Sequence, residues 1–340
     1  MKPLRLLLLG TLPPPPGGTT LLFEQLVRKL AADPAVRAHV VDTGARGLFA
    51  RAAVLARFAA ALPRCDVIAL HASPPGIARA GPWLLRCGKP LVVRVFGGSL
   101  DADLTSGGGP QRERLECVLA GAARVLVETD LVAQWLATSR PRVRVAIQRN
   151  SRELASGAPA PPITAKHFVF AGSVSEVKGV GELLTAMQEL AREGVTLDVI
   201  GACEDARLRE RLARTAGVRY SGEQPNARVV EALANARALV LPTRHAAEGH
   251  PGAILEAFAA GRPAIATRFR AIPELVAHGE NGLLVPPGDA RALAAAMRTL
   301  ASDDALAARL GAAAHETARA YDAAVWAERF VAVCREVARA

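Results

Sequence analysis

The sequence predicts an α/β fold in which parallel sheets are covered by helices on both faces. Short apolar runs alternate with longer helical patterns through most of the chain, which is typical of such sheets. The length of 340 residues corresponds to about two domains. A segment rich in Ala, Gly, Ser and Pro at 151–164 interrupts the alternation and has the composition of a linker. We therefore expect two α/β halves.

The first half begins with a buried strand at Leu4–Leu9. A helix over Leu21–Ala32 follows, because Leu22, Leu26 and Leu30 recur at helical spacing. The other strands predicted in this half are Val40–Asp42, Val67–Leu70, Leu91–Val95 and Arg124–Val127. Its other predicted helices cover 46–62, 111–121 and 130–138.

The second half repeats the alternation after the linker, and the chain ends in a predicted helix at Ala323–Arg339. In open α/β sheets, ligands bind beyond the carboxyl ends of the strands, so we expect the site there. The predicted strands are Phe168–Gly172, Thr196–Ile200, Val218–Ser221, Ala238–Leu241 and Pro263–Thr267. The predicted helices cover 179–193, 204–215, 226–235 and 252–260.

Composition narrows the class of protein. Hydrophobic residues make up 51% and charged residues 22%, which excludes a disordered chain. Five scattered cysteines without a C-x-x-C pair fit a reducing compartment rather than a disulfide framework or a zinc cage. The apolar run Leu6–Leu9 is too short for a signal peptide, and no run approaches the ~20 residues of a membrane span. We expect a soluble, cytoplasmic protein.

The net charge of +10 gives information about binding partners rather than about the fold. It is compatible with nucleic acid, an anionic membrane face or phosphorylated substrates. The chain has no Lys/Arg block, no zinc-finger spacing and no aromatic-basic pattern, so we expect no nucleic-acid partner.

The segment 239–289 carries the densest set of recognisable spacings. A strand ends at Pro242, and Glu248-Gly249 is followed by Glu256 and, further on, by an Ile-Pro-Glu and an Asn-Gly-x-Leu phrase. This order resembles the donor-binding half of the retaining glycosyltransferases of family 4, which have the GT-B architecture of two facing Rossmann-like domains with a central cleft. The matching positions are Pro242, Glu248, Gly249, Glu256, Ala257, Gly261, Pro263, Ile272, Pro273, Glu274, Asn281, Gly282, Leu283, Pro287 and Asp289.

The resemblance implies roles for the loop and helix in this segment. A helix that begins near Gly252 offers free N–H groups and a positive dipole end, which suit a diphosphate. Glu248 would reach the sugar ring as a catalytic residue, and Glu256 would accept hydrogen bonds from ribose hydroxyls. The donor-binding residues implied here are His250, Pro251, Gly252, Ala253 and Glu256. Taken alone, each glutamate also fits an ordinary solvated position.

A second phrase, from Phe168 to Gly179, resembles the family pattern F-x-G-R-x-x-x-x-K-G. The resemblance implies that Lys178 binds the donor diphosphate and acts with Glu248 in catalysis. Lys178 is one of five lysines in a chain that otherwise uses Arg, so a compact ammonium is favoured there. Ser173, counted among the donor-binding residues, stands where many relatives carry Arg, so one phosphate-neutralising charge is missing.

The first half resembles the family more loosely. Gly17 and Gly18, after Pro13–Pro16, resemble a loop that approaches the donor phosphates, although a turn without ligand is the alternative. His71 ends a strand that resembles D-V-V-H-x-H. The next loop resembles an acceptor-facing H-G-G-S-F-D segment, with Phe96 in place of its first His. The acceptor-side candidates are His71, Gly97, Gly98 and Ser99.

The resemblance implies a metal-independent retaining glycosyltransferase. It would transfer a sugar from a nucleoside-diphosphate sugar, its co-substrate, to a hydroxyl of a glycan or lipid-linked acceptor in bacterial cell-surface polysaccharide assembly. We expect no bound cofactor, and we interpret Asp101 and Asp103 as solvated rather than metal ligands. The alternatives are a catalytically impaired glycosyltransferase-like binding subunit, for which Ser173 and Phe96 are the motivation, and a GT-B nucleotide-sugar epimerase.

The same resemblance implies the domain organisation. An acceptor-side domain would span 1–150, the linker 151–164, and a nucleotide-sugar-binding domain 165–320. The last helix, within 321–340, would cross back to the first domain.

The segment 45–64 suggests a membrane contact. On a helix, Leu48, Leu55 and Phe58 share an apolar face flanked by Arg46 and Arg57, a pattern that suits the anionic inner leaflet. The alternative is an ordinary helix packed on the sheet with solvated Arg stems. We therefore expect weak peripheral association with the membrane.

Overall fold

The computed structural model describes residues 2–14, 17–44, 47–105, 108–154 and 163–339. Two of the prolines before Gly17, most of the predicted linker, Arg46, and the side chains of Leu48 and Arg51 lie outside this description. The chain forms two compact units: unit 1 is Met1–Glu153 with Asp322–Ala340, and unit 2 is Leu154–Tyr321. Among the described residues, no helix is both long and apolar enough to span a bilayer.

Unit 1 alternates strands and helices and includes the last helix of the chain. Its elements are β1 (Leu4–Gly10), α1 (Gly18–Ala32), β2 (Val36–Asp42), α2 (Leu48–Ala61), β3 (Val67–Ala72), α3 (Pro74–Leu84), β4 (Leu91–Val95), α4 (Leu100–Thr105), α5 (Pro110–Gly121), β5 (Arg124–Val127), α6 (Asp130–Ser139), β6 (Val145–Ile147) and α13 (Ala323–Val337).

Unit 2 follows the same plan. Its elements are β7 (His167–Ala171), α7 (Val180–Leu190), β8 (Thr196–Ile200), α8 (Ala206–Arg214), β9 (Val218–Tyr220), α9 (Asn226–Ala234), β10 (Ala238–Leu241), α10 (Gly252–Ala259), β11 (Ala264–Thr267), β12 (Gly282–Val285), α11 (Ala290–Ser302) and α12 (Asp304–Arg319).

Each unit is built on a six-stranded parallel sheet. The strand orders are β2-β1-β3-β4-β5-β6 and β12-β11-β10-β7-β8-β9. Strands β4, β10 and β11 are buried at every residue, as expected for strands covered on both faces. The predicted α/β class and the parallel sheets are therefore confirmed.

Helix α13 completes the core of unit 1. Its residues Phe330, Val331, Cys334 and Val337 join one apolar cluster with strand β1 and helix α1. At the start of the helix, the Ala323 N–H donates to the Arg152 carbonyl at 3.0 Å, and the Asp322 side chain caps the first turn. The N-terminal sheet therefore has one face covered in part by the end of the chain.

Several elements differ from the sequence-based expectation, and those that were not predicted include β6, β12, α4, α11 and α12. Helix α3 was not predicted, because its prolines and glycines are typical of turns, yet Pro is tolerated in a first helical turn. The expected apolar face of α2 is wrong in part. Phe58 is 5% exposed and packs on the Trp83 ring at 4.7 Å, whereas Leu55 is 60% exposed. Phe58 therefore belongs to the core and not to an outward-facing surface.

The packing of α13 leads to a stability prediction. Phe330→Ala should reduce the free energy of unfolding of unit 1 by about 3–5 kcal/mol, because a fully buried ring is removed. All three tryptophans (Trp83, Trp135 and Trp326) lie in unit 1, so urea unfolding followed by their fluorescence reports on this unit.

The matched control is Glu328→Ala on the exposed side of the same helix, which should shift stability by less than about 0.5 kcal/mol. Equal midpoints for the two variants would contradict the assignment of α13 to the core.

Candidate active site

Two loops of unit 2 are joined where strands β7 and β10 end. The Arg244 N–H donates to the Val177 carbonyl at 2.8 Å. Gly179 has a φ of +76°, and a Cβ atom there would lie 2.0 Å from the Pro242 carbonyl oxygen. Only glycine allows this close approach, which places the residue before it, Lys178, against the second loop.

Lys178 and Glu248, the two residues predicted to be catalytic, form an ion pair. The Lys178 Nζ lies 2.6 Å from Glu248 Oε2, and the two side chains are 18% and 9% exposed. The Thr243 hydroxyl donates to the same carboxylate oxygen at 2.7 Å. A charged side chain that is removed from water needs an opposite charge and hydrogen bonds. Here Lys178 and Glu248 supply them to each other. Thr243 was not predicted from the sequence, although it directly follows the matched Pro242.

Helix α10 begins immediately after this loop. Pro251 precedes its first residue, and in the described part of the chain no side chain caps this end. The N–H groups of the first turn, which begins at Gly252 and Ala253, therefore receive no side-chain cap from Pro251 and form the positive end of the helix dipole. This is the geometry that binds phosphate in many proteins.

His250 anchors the entry to α10. It is buried, its Nε2 lies 3.0 Å from Glu274 Oε2, and its ring meets the Tyr321 ring edge-on at 5.9 Å. Glu274 is the glutamate of the Ile-Pro-Glu phrase. The contact fixes the backbone from which Pro251 and Gly252 begin the helix, so His250 holds the loop through its side chain.

Glu256 is buried rather than solvated. It lies in the second turn of α10, and its Oε1 accepts a hydrogen bond of 3.0 Å from the Asn226 amide. Asn226 is the first residue of α9 and carried no sequence signal. The pairing orients a carboxylate that the resemblance assigns to ribose hydroxyls.

Ser173 is exposed in the loop after β7. The loop is held to the end of β8 by the hydrogen bonds from Gly172 N–H to Ile200 O and from Val174 N–H to Ala202 O, at 3.0 and 2.8 Å. A serine hydroxyl at this position supplies no positive charge, so Lys178 is the cation that this loop presents.

The donor-side candidates of unit 1 lie at the start of α1. Gly17 is the residue before the helix and Gly18 is its first residue, and the Gly17 carbonyl accepts from the Leu21 N–H and the Thr20 hydroxyl, each at 3.0 Å. Two of the four prolines that precede them lie outside the described residues, so the full loop is not placed.

The acceptor-side candidates follow strands β3 and β4. Gly97 is exposed with a φ of +100°, Gly98 is buried, and the Ser99 hydroxyl donates to Asp103 at 3.1 Å. His71 is buried at the end of β3 and not at an exposed edge. Among the described residues, no group of three His, Cys, Asp or Glu side chains is placed to hold a metal ion.

Burial controls the charge of two side chains beside this loop. Burial lowers the pKa of His71 to about 3, with a further contribution from the positive charge of Arg94. Burial also lowers the pKa of Arg94 to about 10, and the carboxylate of Glu128 acts in the opposite direction. At neutral pH, His71 is therefore neutral and Arg94 is charged.

Two units that each contain a six-stranded parallel sheet covered by helices are the architecture expected for the GT-B fold. Residues 165–303 match the family model described as group 1 glycosyl transferases. The match includes the motifs in 239–289 and confirms the predicted resemblance to glycosyltransferases, whereas the assignment to family 4 and the retaining mechanism stay predictions.

Relatives and solved structures agree with this assignment. The chain is 28% identical to a phosphatidyl-myo-inositol mannosyltransferase of Mycobacterium leprae, over 80% of the chain and 74% of the relative. It is 32% identical to an exopolysaccharide phosphotransferase of Streptomyces coelicolor, over 61% of the chain but only 23% of that longer protein. The fold is similar to Anabaena HepE in complex with UDP, with a TM-score of 0.76, 16% identity, and coverage of 98% and 100% of the two chains. This likeness confirms the GT-B fold.

The close approach at Gly179 yields a prediction with a matched control. Gly194 has a φ of +78°, almost that of Gly179, but a Cβ there meets nothing within 4 Å. Gly194→Ala should cost about 1–2 kcal/mol of stability from the left-handed backbone alone. Gly179→Ala should cost roughly 1–3 kcal/mol more, because the two loops must separate.

Hydrogen exchange at the Arg244 N–H measures this separation directly. Exchange should accelerate in Gly179→Ala and stay slow in Gly194→Ala. Slow exchange in both would show that the loops do not depend on this contact.

Proposed function

We propose that the protein is a retaining glycosyltransferase that uses a nucleoside-diphosphate sugar and transfers the sugar to a hydroxyl of a glycan or glycolipid. The observation that carries the proposal is the Lys178–Glu248 pair, 2.6 Å apart, in the loops beside the uncapped start of α10. A cation and a helix N-terminus suit a diphosphate, and a carboxylate held beside them suits a polar sugar.

The departing diphosphate is the charge that such a reaction must stabilise. The first N–H groups of α10 would bind its oxygens, and Lys178 would approach from the opposite loop. An ammonium group has three N–H donors, so Lys178 can keep Glu248 while it binds a phosphate oxygen. We propose that these protein groups take the role of a divalent metal, with no resident cofactor.

The other donor-side residues would orient the nucleotide sugar. Glu256 would accept hydrogen bonds from the ribose, and Asn226 would hold its carboxylate in place. Glu248, fixed by Lys178 and Thr243, would contact the sugar. The HepE structure in complex with UDP supports a nucleoside diphosphate as the ligand class. The names of the two relatives support an acceptor in glycolipid or exopolysaccharide synthesis.

A second candidate function is a binding subunit with little turnover. The exposed Ser173 favours it, since that loop lacks the cation found in many relatives. Both functions require nucleotide binding, but only the first releases diphosphate when a nucleotide sugar and an acceptor are supplied.

The central test is Lys178→Ala. The variant should lose most transfer, equivalent to about 2.7–4 kcal/mol of transition-state stabilisation, because a preorganised positive group is removed. The measurement is nucleoside-diphosphate release from a panel of nucleotide sugars with crude lipid and glycan acceptors.

Lys166→Ala is the matched control, because Lys166 is exposed in unit 2 and its ammonium donates to the Glu193 carbonyl at 3.3 Å, away from Glu248. It should retain full turnover. Normal turnover in a folded Lys178→Ala protein would remove the proposed role, and nucleotide binding without turnover in the parent would favour the binding subunit.

We also propose weak association with an anionic membrane through α2. Phe49 is 92%, Leu55 60% and Trp83 48% exposed, and Arg57 is exposed on the same helix as the first two. Apolar side chains beside a basic one favour a membrane interface. The surface differs from the sequence-based expectation because Phe58 is buried.

Vesicle flotation tests the membrane contact. The protein should float with anionic vesicles at low salt and not at high salt, because each Arg near the lipid contributes about 1 kcal/mol. Arg51→Glu with Arg57→Glu should weaken binding at least about tenfold.

The control, Arg207→Glu with Arg209→Glu on α8, makes the same change in net charge in unit 2 and should float like the parent. If both double variants float equally, or the parent does not float, the membrane contact is wrong.

A further inference from the structure

An apolar groove lies on unit 1 between helix α5 and the turn that links α6 to β6, and its volume is about 240 Å³. Its accessible apolar wall contains Ala120 and Pro141, which are exposed, and Val143, which is half-buried. Leu104 and Leu119 also line the groove, but they are 0% and 1% exposed and belong to the core beneath it. A ligand in the groove would therefore contact Ala120, Pro141 and Val143.

The polar residues that complete the lining are Glu116, Ser139, Arg140 and Arg142. Arg140 is already engaged, because its Nη2 donates to Glu116 Oε1 at 2.8 Å and its Nη1 donates to the Ser139 carbonyl at 2.9 Å. Arg142 is exposed, and no carboxylate among the described residues pairs with it. The two arginines and one glutamate leave the groove with a net charge of +1.

Other contacts hold Glu116 and Arg140 in place. Arg112 Nε also donates to Glu116 Oε1, at 3.3 Å, and the Arg140 guanidinium lies 5.6 Å from the centre of the Trp135 ring. The hydrogen bond from Arg140, followed by that from Arg112, lowers the pKa of Glu116, so its carboxylate is charged at neutral pH. Glu116 is therefore committed to these two arginines, and the positive charge of Arg142 remains available to a ligand.

The volume and the charge of the groove define a class of ligand. A cavity of about 150 Å³ holds benzene, so a groove of about 240 Å³ corresponds to roughly eight to ten carbon atoms. A guanidinium binds a carboxylate through two parallel N–H···O bonds. A phosphate monoester carries about −1.5 to −2 charges, which exceeds the positive charge available, and Glu116 would repel it. The class that fits is a single alkyl chain that ends in a carboxylate.

We propose that this groove binds a medium-chain fatty acid. The alkyl chain lies against Ala120, Pro141 and Val143, and the carboxylate pairs with Arg142. The groove is formed only by residues of unit 1, and none of them takes part in the proposed transfer reaction. The binding site therefore goes beyond the proposed function and does not depend on it.

Calorimetric titration of the full-length protein tests the ligand class. The probes are hexanoate, octanoate, decanoate, 1-octanol and octyl phosphate, each below the concentration at which it forms micelles. Octanoate should bind saturably and at least about fivefold more tightly than 1-octanol or octyl phosphate. Each step from hexanoate to octanoate to decanoate should strengthen binding by about fivefold or more, because two further methylene groups leave water.

Two variants locate the binding. Ala120→Leu fills part of the groove and should weaken octanoate binding by about tenfold or more. Arg142→Ala should weaken octanoate binding by about tenfold and leave 1-octanol binding unchanged, because only the charged end loses its partner. The matched controls are Ala137→Leu, an exposed position on α6, and Arg114→Ala, an exposed position on α5. Neither control residue lines the groove, and both variants should bind octanoate like the parent.

Three results would overturn the proposal: no saturable octanoate binding, tighter binding of octyl phosphate or 1-octanol than of octanoate, or unchanged binding in both folded variants. Sedimentation velocity gives a further check. A dimer of the parent that Ala120→Leu dissociates would show that the groove is covered by a second copy of the chain instead. Thermal unfolding identifies a variant that does not fold, and the other variant then carries the test. Nucleotide-sugar turnover is measured separately, so failure here leaves the proposed function standing.

Discussion

The donor side of the molecule depends on the contact between Gly179 and the Pro242 carbonyl. Because Gly179 has no Cβ, the loop after β7 can lie directly against the loop after β10. Only then can a lysine from one loop reach a glutamate from the other at 2.6 Å. The ion pair thus depends on the packing of the backbone at Gly179.

The polar side chains around the donor site form hydrogen-bonded pairs. Thr243 supports Glu248, Asn226 supports Glu256, and His250 contacts Glu274. Such support holds groups in a reactive geometry before the substrate arrives, which is a large part of electrostatic catalysis.

Much of the fold could be predicted because parallel strands have a simple sequence pattern. Runs such as Leu91–Val95 are apolar at nearly every position, and the structure buries all of them. The ordered spacings from Pro242 to Asp289 likewise indicated the family. The supporting contacts could not be predicted, because they join residues far apart in the chain. Asn226 and Glu256 are 30 residues apart, and Gln148 and Trp326 are 178 apart. Helix α3 was not predicted because its prolines and glycines are typical of turns and obscure the helical spacing of its apolar residues.

The position of α13 has a consequence for synthesis at the ribosome. Unit 2 is one continuous stretch that ends at Tyr321, whereas unit 1 needs Asp322 and the residues after it. During translation, the sheet of unit 1 is made before unit 2. One apolar face of this sheet stays partly uncovered until α13 has been made. Domains generally fold as units, so the second unit of this chain can finish before the first. Within this sequence, the sheet of unit 1 is then made before unit 2 but is completed only after it.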